Sequence, residues 1–502
     1  MTEKPRRRRS RVAVDQQPAT PPVAPTPTIG VEAVQQPADQ TELERLAEWI
    51  DTRTAMAGIV RSALRKVFPD HWSFLLGEVA LFCFIILVAT GTFLTFFYVP
   101  SSAPIVYDGP YEPLRGTSVS AAFDSVMRLS FEVRAGLLMR QIHHWTALVF
   151  VAVVIVHMSR IFFTGAFRRP RELNWLIGIG LLALAIGEGF TGYSLPDDLL
   201  SGTGARIAYS AVLSIPLIGP WAASLVFGGE FPTYALISRL FVIHVLFLPG
   251  LFVAGILVHL AFVVVHKHTQ YRGGAARETN VVGRHFWPVQ VFLSTGLFFL
   301  TAAVVALIGG FFQVNPIWAY GPFDASVVSS PAQPDWYVGW LDGSLRIFPP
   351  FEPTIPLVNV TIPSPFIPGV VIPGVLSLLA ILWPFLEARL THDSSEHHIL
   401  DRVWEHPVRT ASGIAFLTLF TVLTFAGGND VLAFYFSTEI ETLTRAFRIL
   451  AIVLPVVAWL VVYRVCQLRL TRETDATGSL RHPPGGVALR RSASGGFEEV
   501  GE

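Results

Sequence analysis

Residues 140–160 read RQIHHWTALVFVAVVIVHMSR, an apolar stretch carrying His143, His144 and His157 with Arg140 and Arg160 near its ends. A second stretch, RLFVIHVLFLPGLFVAGILVHLAFVVVH, carries His244 and His259. Imidazoles in such surroundings can hold a metal or haem iron, or relay a proton. His143 and His157 are 14 residues apart. At about 100° and 1.5 Å per residue, they lie within roughly 40° of one helical face and about 21 Å apart along it. His244 and His259 are 15 apart, which gives an offset of roughly 60° and a separation of about 22 Å. If the two helices run parallel, the histidines form two levels, His143 with His244 and His157 with His259. Two facing imidazoles at one depth supply both axial ligands of a planar iron porphyrin. A zinc or copper site wants three or four ligands at one depth. Two haems at two depths would make an electron path through the membrane. His144, turned about 100° from His143, reads as a polar neighbour.

Other residues support the same chemistry. Gly77 and Gly91 are 14 apart, as are Gly178 and Gly192, and a missing side chain lets a porphyrin edge approach a helix. Arg140 and Arg160 each lie three residues from a histidine of the first pair, where a guanidinium can pair with a haem propionate. With only Cys83 and Cys466 in the chain, a disulfide framework, a four-cysteine cluster and C-x-x-C-H haem attachment are excluded. Cys83 reads as a buried packing residue.

The elements that must position these groups are membrane spans. Only 15% of the 502 residues are charged and 52% are hydrophobic, against about 25% charged in an average soluble protein. Eight apolar segments, near 75–98, 136–163, 174–195, 238–265, 287–312, 366–387, 411–427 and 447–465, approach or exceed the roughly 20 residues that cross a bilayer. The fold class predicted is an all-α membrane protein of eight transmembrane helices. Helices one to four form a four-helix dihaem bundle, and four further helices follow. Basic loops at 167–172 and 266–278 alternate with loops at 99–125, 196–232 and 313–365 that are poor in Lys and Arg. The positive-inside rule therefore places both termini in the cytoplasm. It also makes the helices of the two histidine pairs parallel, with His143 and His244 outside.

The expected organisation is a disordered tail over 1–40, rich in Pro, Gln and Ala behind Arg6 to Arg9, and an amphipathic surface helix over 41–70. The dihaem bundle occupies 71–270, a C-terminal four-helix region 271–470, and a second disordered tail 471–502.

The segments RQIHHW…VHMSR and IHVLFLPGLFVAGILVH, with TGYSLP (191–196) and PDWY (334–337), resemble cytochrome b of the cytochrome bc1 complex over about residues 70–465. Asp335 stands where that family usually has glutamate. The 15-residue spacing is similar to that of cytochrome b6, and the long N-terminal tail with Asp335 resembles the actinobacterial, menaquinol-oxidising type. The resemblance implies a quinol–cytochrome c reductase subunit of the cell membrane, with two non-covalent b-type haems on His143/His244 and His157/His259. It implies a quinol-oxidation site containing Asp335, Tyr337 and Gly204, and an inner quinone site for which His266 and His268 are the candidates. Partners implied are a Rieske iron–sulfur subunit, a cytochrome c or c1-type subunit, a second copy of the chain and a terminal oxidase in a supercomplex. A nucleic-acid partner is not expected. Leu75 stands where b6-type chains carry a haem-linking cysteine, so no third, covalent haem is expected. Two rival readings share the histidines: a dihaem cytochrome b anchor of another dehydrogenase, and a transporter whose histidines relay protons.

Overall fold

A computed structural model describes residues 41–54, 58, 60, 64–327, 333–357, 359–477, 488–491 and 497–500. The tail over 1–40 lies outside the described residues. Glu42–Thr54 forms α1, a short amphipathic helix. The described residues from 64 onward belong to one compact unit.

Among the described residues, eight helices are long and apolar enough to cross a membrane: α2 (Trp72–Thr95), α4 (Gly136–Phe163), α5 (Glu172–Tyr193), α8 (Leu236–His266), α9 (Phe286–Phe311), α12 (Ile367–Thr391), α13 (Pro407–Gly427) and α15 (Ile440–Thr477). These are the eight segments expected. The last is longer than 447–465, because amphipathic turns extend it beyond its apolar centre. Between the spans lie α3 (Ala121–Phe131), α6 (Leu199–Leu213), α7 (Gly219–Phe227), α10 (Ile317–Tyr320), α11 (Trp336–Ile347) and α14 (Asn429–Tyr435). Among the described residues, strands are confined to short antiparallel pairs, such as Val67–Pro69 with Gly283–His285 and Ala488–Arg491 with Phe497–Val500.

Three spans depart from regular α geometry. Ile243–Phe247 in α8 and Ile367–Val371 opening α12 are π turns, while Phe286–Gln290 opening α9 is a kink with Trp287 extended at φ −101°, ψ 134°. Each has a proline within it or two residues beyond: Pro249, Pro288, or Pro368 and Pro373. Proline has no N–H and its ring clashes with the carbonyl four residues back, so a wider turn or a kink accommodates it.

In the first half α2 packs on α4 and α5 packs on α8, while α9 lies against both α2 and α4. Between the two pairs a plug of Phe84, Phe150 and Phe252 has ring centres 5.5–6.5 Å apart and separates two cavities. Cys83 is fully buried in the cluster around this plug, which is the packing role expected. In the second half α11 packs on α13. A Cβ on Gly343 would meet the Leu423 carbonyl, so glycine is needed for this approach, and it sets Asp335 and Tyr337 at the bundle. At the opposite end, buried Arg409 binds Glu387 through Nε (3.0 and 2.9 Å) and Asp401 through Nη1 (2.8 Å), and Arg168 joins Asp401 at 2.8 Å. The network ties the α4–α5 turn to α12 and α13.

Candidate functional site

The cavity at the level of His143, called outer after the loop charges, has a volume of about 260 Å3. The inner one, at the level of His157, has about 1320 Å3.

In the outer cavity the rings of His143 and His244 face each other with centres 6.3 Å apart. A metal–imidazole bond is about 2 Å, and the ring centre lies about one ångström beyond the nitrogen. Two imidazoles ligating one ion in trans therefore have centres roughly 6 Å apart. Two threonines set the tautomers. The Thr90 hydroxyl donates to the Ile86 carbonyl at 2.7 Å, so its oxygen accepts from His143 Nδ1 at 2.9 Å. The Thr191 hydroxyl donates to Glu188 O at 2.9 Å and accepts from His244 Nδ1 at 3.2 Å, and that nitrogen also lies 3.1 Å from Glu188 O. With the proton on Nδ1, the lone pair of each Nε2 is left for a ligand. Each threonine is 53 residues from its histidine, and each precedes a glycine on which a Cβ would press into the ring: Gly91 against His143 Cε1 at 3.1 Å, Gly192 against His244.

The 15-residue spacing in α8 resolves here. Its π turn holds one residue more than an α turn, so His244 and His259 return to one face without the expected 60° offset. His157 and His259 both line the inner cavity. Gly77 faces His157, with Cε1 3.3 Å from an added Cβ, and around Gly178 there is open space. The Nδ1 of His157 is buried without a partner. Arg140 is 8% exposed, donates to the Asn315 carbonyl at 3.0 Å and keeps a buried, unpartnered Nε in the outer cavity. Arg160 in the inner cavity lies 4.2 Å over Phe74 and keeps an unpartnered Nη2. Ring separation, glycine cradles and spare guanidinium donors all suit a planar, anionic iron porphyrin. The residues fit haem.

Asp335 accepts from His144 Nε2 at 3.0 and 3.1 Å and from the Tyr337 hydroxyl at 3.2 Å. Tyr337 is 1% exposed, and burial first, then the Asp335 charge, hold its hydroxyl far above the ordinary pKa, so it stays a donor. Asp335, Tyr337 and His144 all line the outer cavity. Gly204 sits on α6 one layer back, where a Cβ would come within 2.9 Å of Tyr193 Cε1, and Tyr193 lines the cavity.

Of the inner candidates, the structure brings His268 to the cavity wall with Lys66, Arg171, Lys267 and Arg284. Burial, then the charges of Lys66, Arg171 and Arg160, push His268 down to about 4, so it is neutral at physiological pH. His266 instead stacks on Phe262 at 5.3 Å. The helix ends at His266, close to the expected 265, and Lys267 turns the chain with φ 62°.

Sequence reasoning missed three things: the His144–Asp335 pair, the two threonines and the π turn. The repeated Thr-Gly dipeptide, at one separation from each outer histidine, was the available signal. Nothing local linked residues 191 apart, as His144 and Asp335 are.

Eight membrane spans around two stacked histidine levels define a multi-pass membrane cytochrome of the b type. A family model described as cytochrome b(N-terminal)/b6/petB matches residues 148–322. The cytochrome bc1 complex cytochrome b subunit of Streptomyces coelicolor is 45% identical over 459 residues, covering 91% of this chain and 83% of that one. That of Mycobacterium leprae is 48% identical over 455 residues, covering 89% and 82%. A chain of a solved hyperthermophilic respiratory Complex III shares the fold with a TM-score of 0.61 at 23% identity, covering 83% of this chain and 99% of that one. The chain belongs to the family of cytochrome b subunits of the cytochrome bc1 complex. As such it is part of a multi-subunit quinol–cytochrome c reductase and takes b-type haem.

Proposed function

We propose that this subunit oxidises quinol in the outer cavity and reduces quinone in the inner one, with both termini cytoplasmic, so that turnover moves protons outward. The carrying observation is the pair of facing outer imidazoles, 6.3 Å apart, stacked above a second histidine pair in a separate cavity. His143 with His244 and His157 with His259 would each hold a b-type haem, cradled by Gly91, Gly192, Gly77 and Gly178, with Arg140 and Arg160 for the propionates. Such haems supply one-electron acceptance at the outer level and delivery at the inner level.

The chain's own residues do the rest. Asp335 takes a quinol proton; His144 and Tyr337 aim its carboxylate and keep it on the cavity wall. Gly204 leaves Tyr193 room to form that wall. A carboxylate within hydrogen-bond reach of a hydroxyl is suited to general-base work. In the inner cavity, Lys66, Arg171 and Lys267 offset the charge that quinone gains, and neutral His268 donates a hydrogen bond to the reduced oxygen. The α2–α4 and α5–α8 walls and the phenylalanine plug keep water out of the span between the levels. One quinol electron leaves to a Rieske iron–sulfur subunit and onward to a cytochrome c or c1-type subunit, since this chain has no ligand set for either centre. Menaquinol as the quinol, a homodimer and association with a terminal oxidase belong to the same proposal, and the likeness to actinobacterial subunits supports them.

A redox difference spectrum of the purified complex is expected to show two b-type haems on this subunit. Substitution His244→Leu is expected to remove the outer haem alone. Retention of both haems in that variant refutes the pairing.

A further inference from the structure

The outer cavity holds a carboxylate that the proposed quinol chemistry leaves without a role. Asp198 is 2% exposed and lines the cavity together with Asp335. Its Oδ1 caps α6, accepting from the Ser201 amide at 3.0 Å, while the Ser201 hydroxyl lies 2.9 Å from the Asp198 amide. Capping uses one oxygen. The other, Oδ2, is buried with no hydrogen-bond partner, and a bare buried acceptor is costly.

The groups facing Asp198 come from every element around it. They are Arg140 of α4, Tyr193 at the end of α5, Tyr320 of α10 and the adjacent Asp197. Tyr193 is within electrostatic reach of both Asp198 and Asp335, so the two carboxylates flank one wall. Asp197 is partly exposed and accepts a hydrogen bond from Ser120. A carboxylate in the cavity is thus joined, at the preceding residue, to a carboxylate in contact with the outside.

We propose that Asp198 is a second proton acceptor of the outer cavity, taking a quinol proton on Oδ2 and passing it by way of Asp197 to the outer aqueous phase. This rests on the outer cavity being the quinol-oxidation site. Quinol becoming quinone gives up two protons and two electrons. The electrons leave singly, to the iron–sulfur partner and to the outer haem level. Asp335 takes one proton and Asp198 the other, so the step balances without another co-reactant. One carboxylate accepts one proton, and both oxygens of Asp335 already face His144. The basicity of the pair suits proton uptake, because burial pushes Asp198 up, against Ser201 and Arg140, and pushes Asp197 up to about 6.

The test uses the complete complex with its partner subunits. Asp198→Asn retains the cap, since asparagine caps as well as aspartate, but has no carboxylate. Its kcat for quinol-dependent cytochrome c reduction is expected to fall at least about tenfold, with KM and haem spectrum unchanged. The wild-type decline in kcat at acid pH, where the carboxylates are already protonated, is expected to flatten. Asp335→Asn is run beside it. If Asp335→Asn slows turnover and Asp198→Asn does not, this inference falls and the quinol-site reading stands; if neither slows it, that reading falls too. Should Asp198→Asn fail to assemble, Asp197→Asn decides, because it leaves the cap intact. A severalfold slower kcat and loss of the acid limb near pH 6 support the relay; wild-type kcat and pH profile overturn it.

Discussion

The two cavities of the bundle share an architecture and differ in lining. The outer one, about 260 Å3, carries Asp335, Asp198 and Glu188 on its wall, with Arg140 the cation beside them. The inner one, about 1320 Å3, is lined by Lys66, Arg160, Arg171, Lys267 and Arg284, with Asp70, paired to Arg284, and Glu78 as its carboxylates, so cations are in excess. On the proposed reading, a site that strips protons from a hydroxyl needs bases, and carboxylates supply them. A site that adds electrons to a carbonyl needs cations to offset the growing charge. The histidines differ in the same direction. The outer pair is backed by Thr90 and Thr191, while Leu76 and Ile177 stand at the equivalent positions before Gly77 and Gly178. A hydrogen bond at Nδ1 makes an imidazole a stronger donor to iron and favours the oxidised metal. On the proposed dihaem reading, the outer haem therefore has the lower potential and electrons run inward.

The contrast can be broken most directly at the histidines. His157→Leu is expected to remove only the inner haem band, mirroring His244→Leu, and a variant that strips both levels would show that they are not independent sites. Next is the outer base. Asp335→Asn is expected to lower kcat for quinol oxidation by about 10²–10⁴-fold, with haem content and inner-site quinone binding unaltered.

At the inner wall, His268→Phe is expected to slow quinone reduction severalfold and leave the initial quinol-driven reduction of haem untouched. Its neutral form is the one favoured in the fold, since its pKa lies near 4, below the ordinary 6.5. Stability linked to it is therefore whole above pH 6.5 and declines as pH falls toward 4. In His268→Phe that part of the acid sensitivity should vanish, as thermal unfolding at pH 7 and pH 5 will show.

The smallest effect concerns the threonines. Removing one hydrogen bond of about 0.5–1.5 kcal/mol by Thr90→Val or Thr191→Val should raise the outer haem potential by a few tens of millivolts. The inner potential should stay put in a redox titration. A drop, or an equal shift of both, contradicts the assigned tautomers.

Much of this was legible from periodicity alone. The eight spans follow from apolar length, the two levels from the spacing of His143, His157, His244 and His259, and the cradles from Gly77, Gly91 and Gly192 at helical intervals. These are properties of a chain in a bilayer, where every backbone group must be satisfied within its own helix, so local pattern largely determines local structure. Pairings across helices were a different matter. Whether His143 or its neighbour His144 faces Asp335 is a rotation of about 100°, decided by how α11 packs on α13. His268 enters the inner cavity and His266 does not because Lys267 reverses the chain between them.

By itself, then, the sequence determined how many times the chain crosses the membrane and at what depths imidazoles sit, because hydrophobic length and helical pitch need no partner. Only the tertiary structure decided which side chains face one another across each cavity. It let the π turn absorb the fifteenth residue, gave each outer histidine a threonine and left one oxygen of Asp198 bare. Those outcomes depend on contacts between segments far apart in the chain, where packing and hydrogen-bond satisfaction choose among orientations that every helix allows.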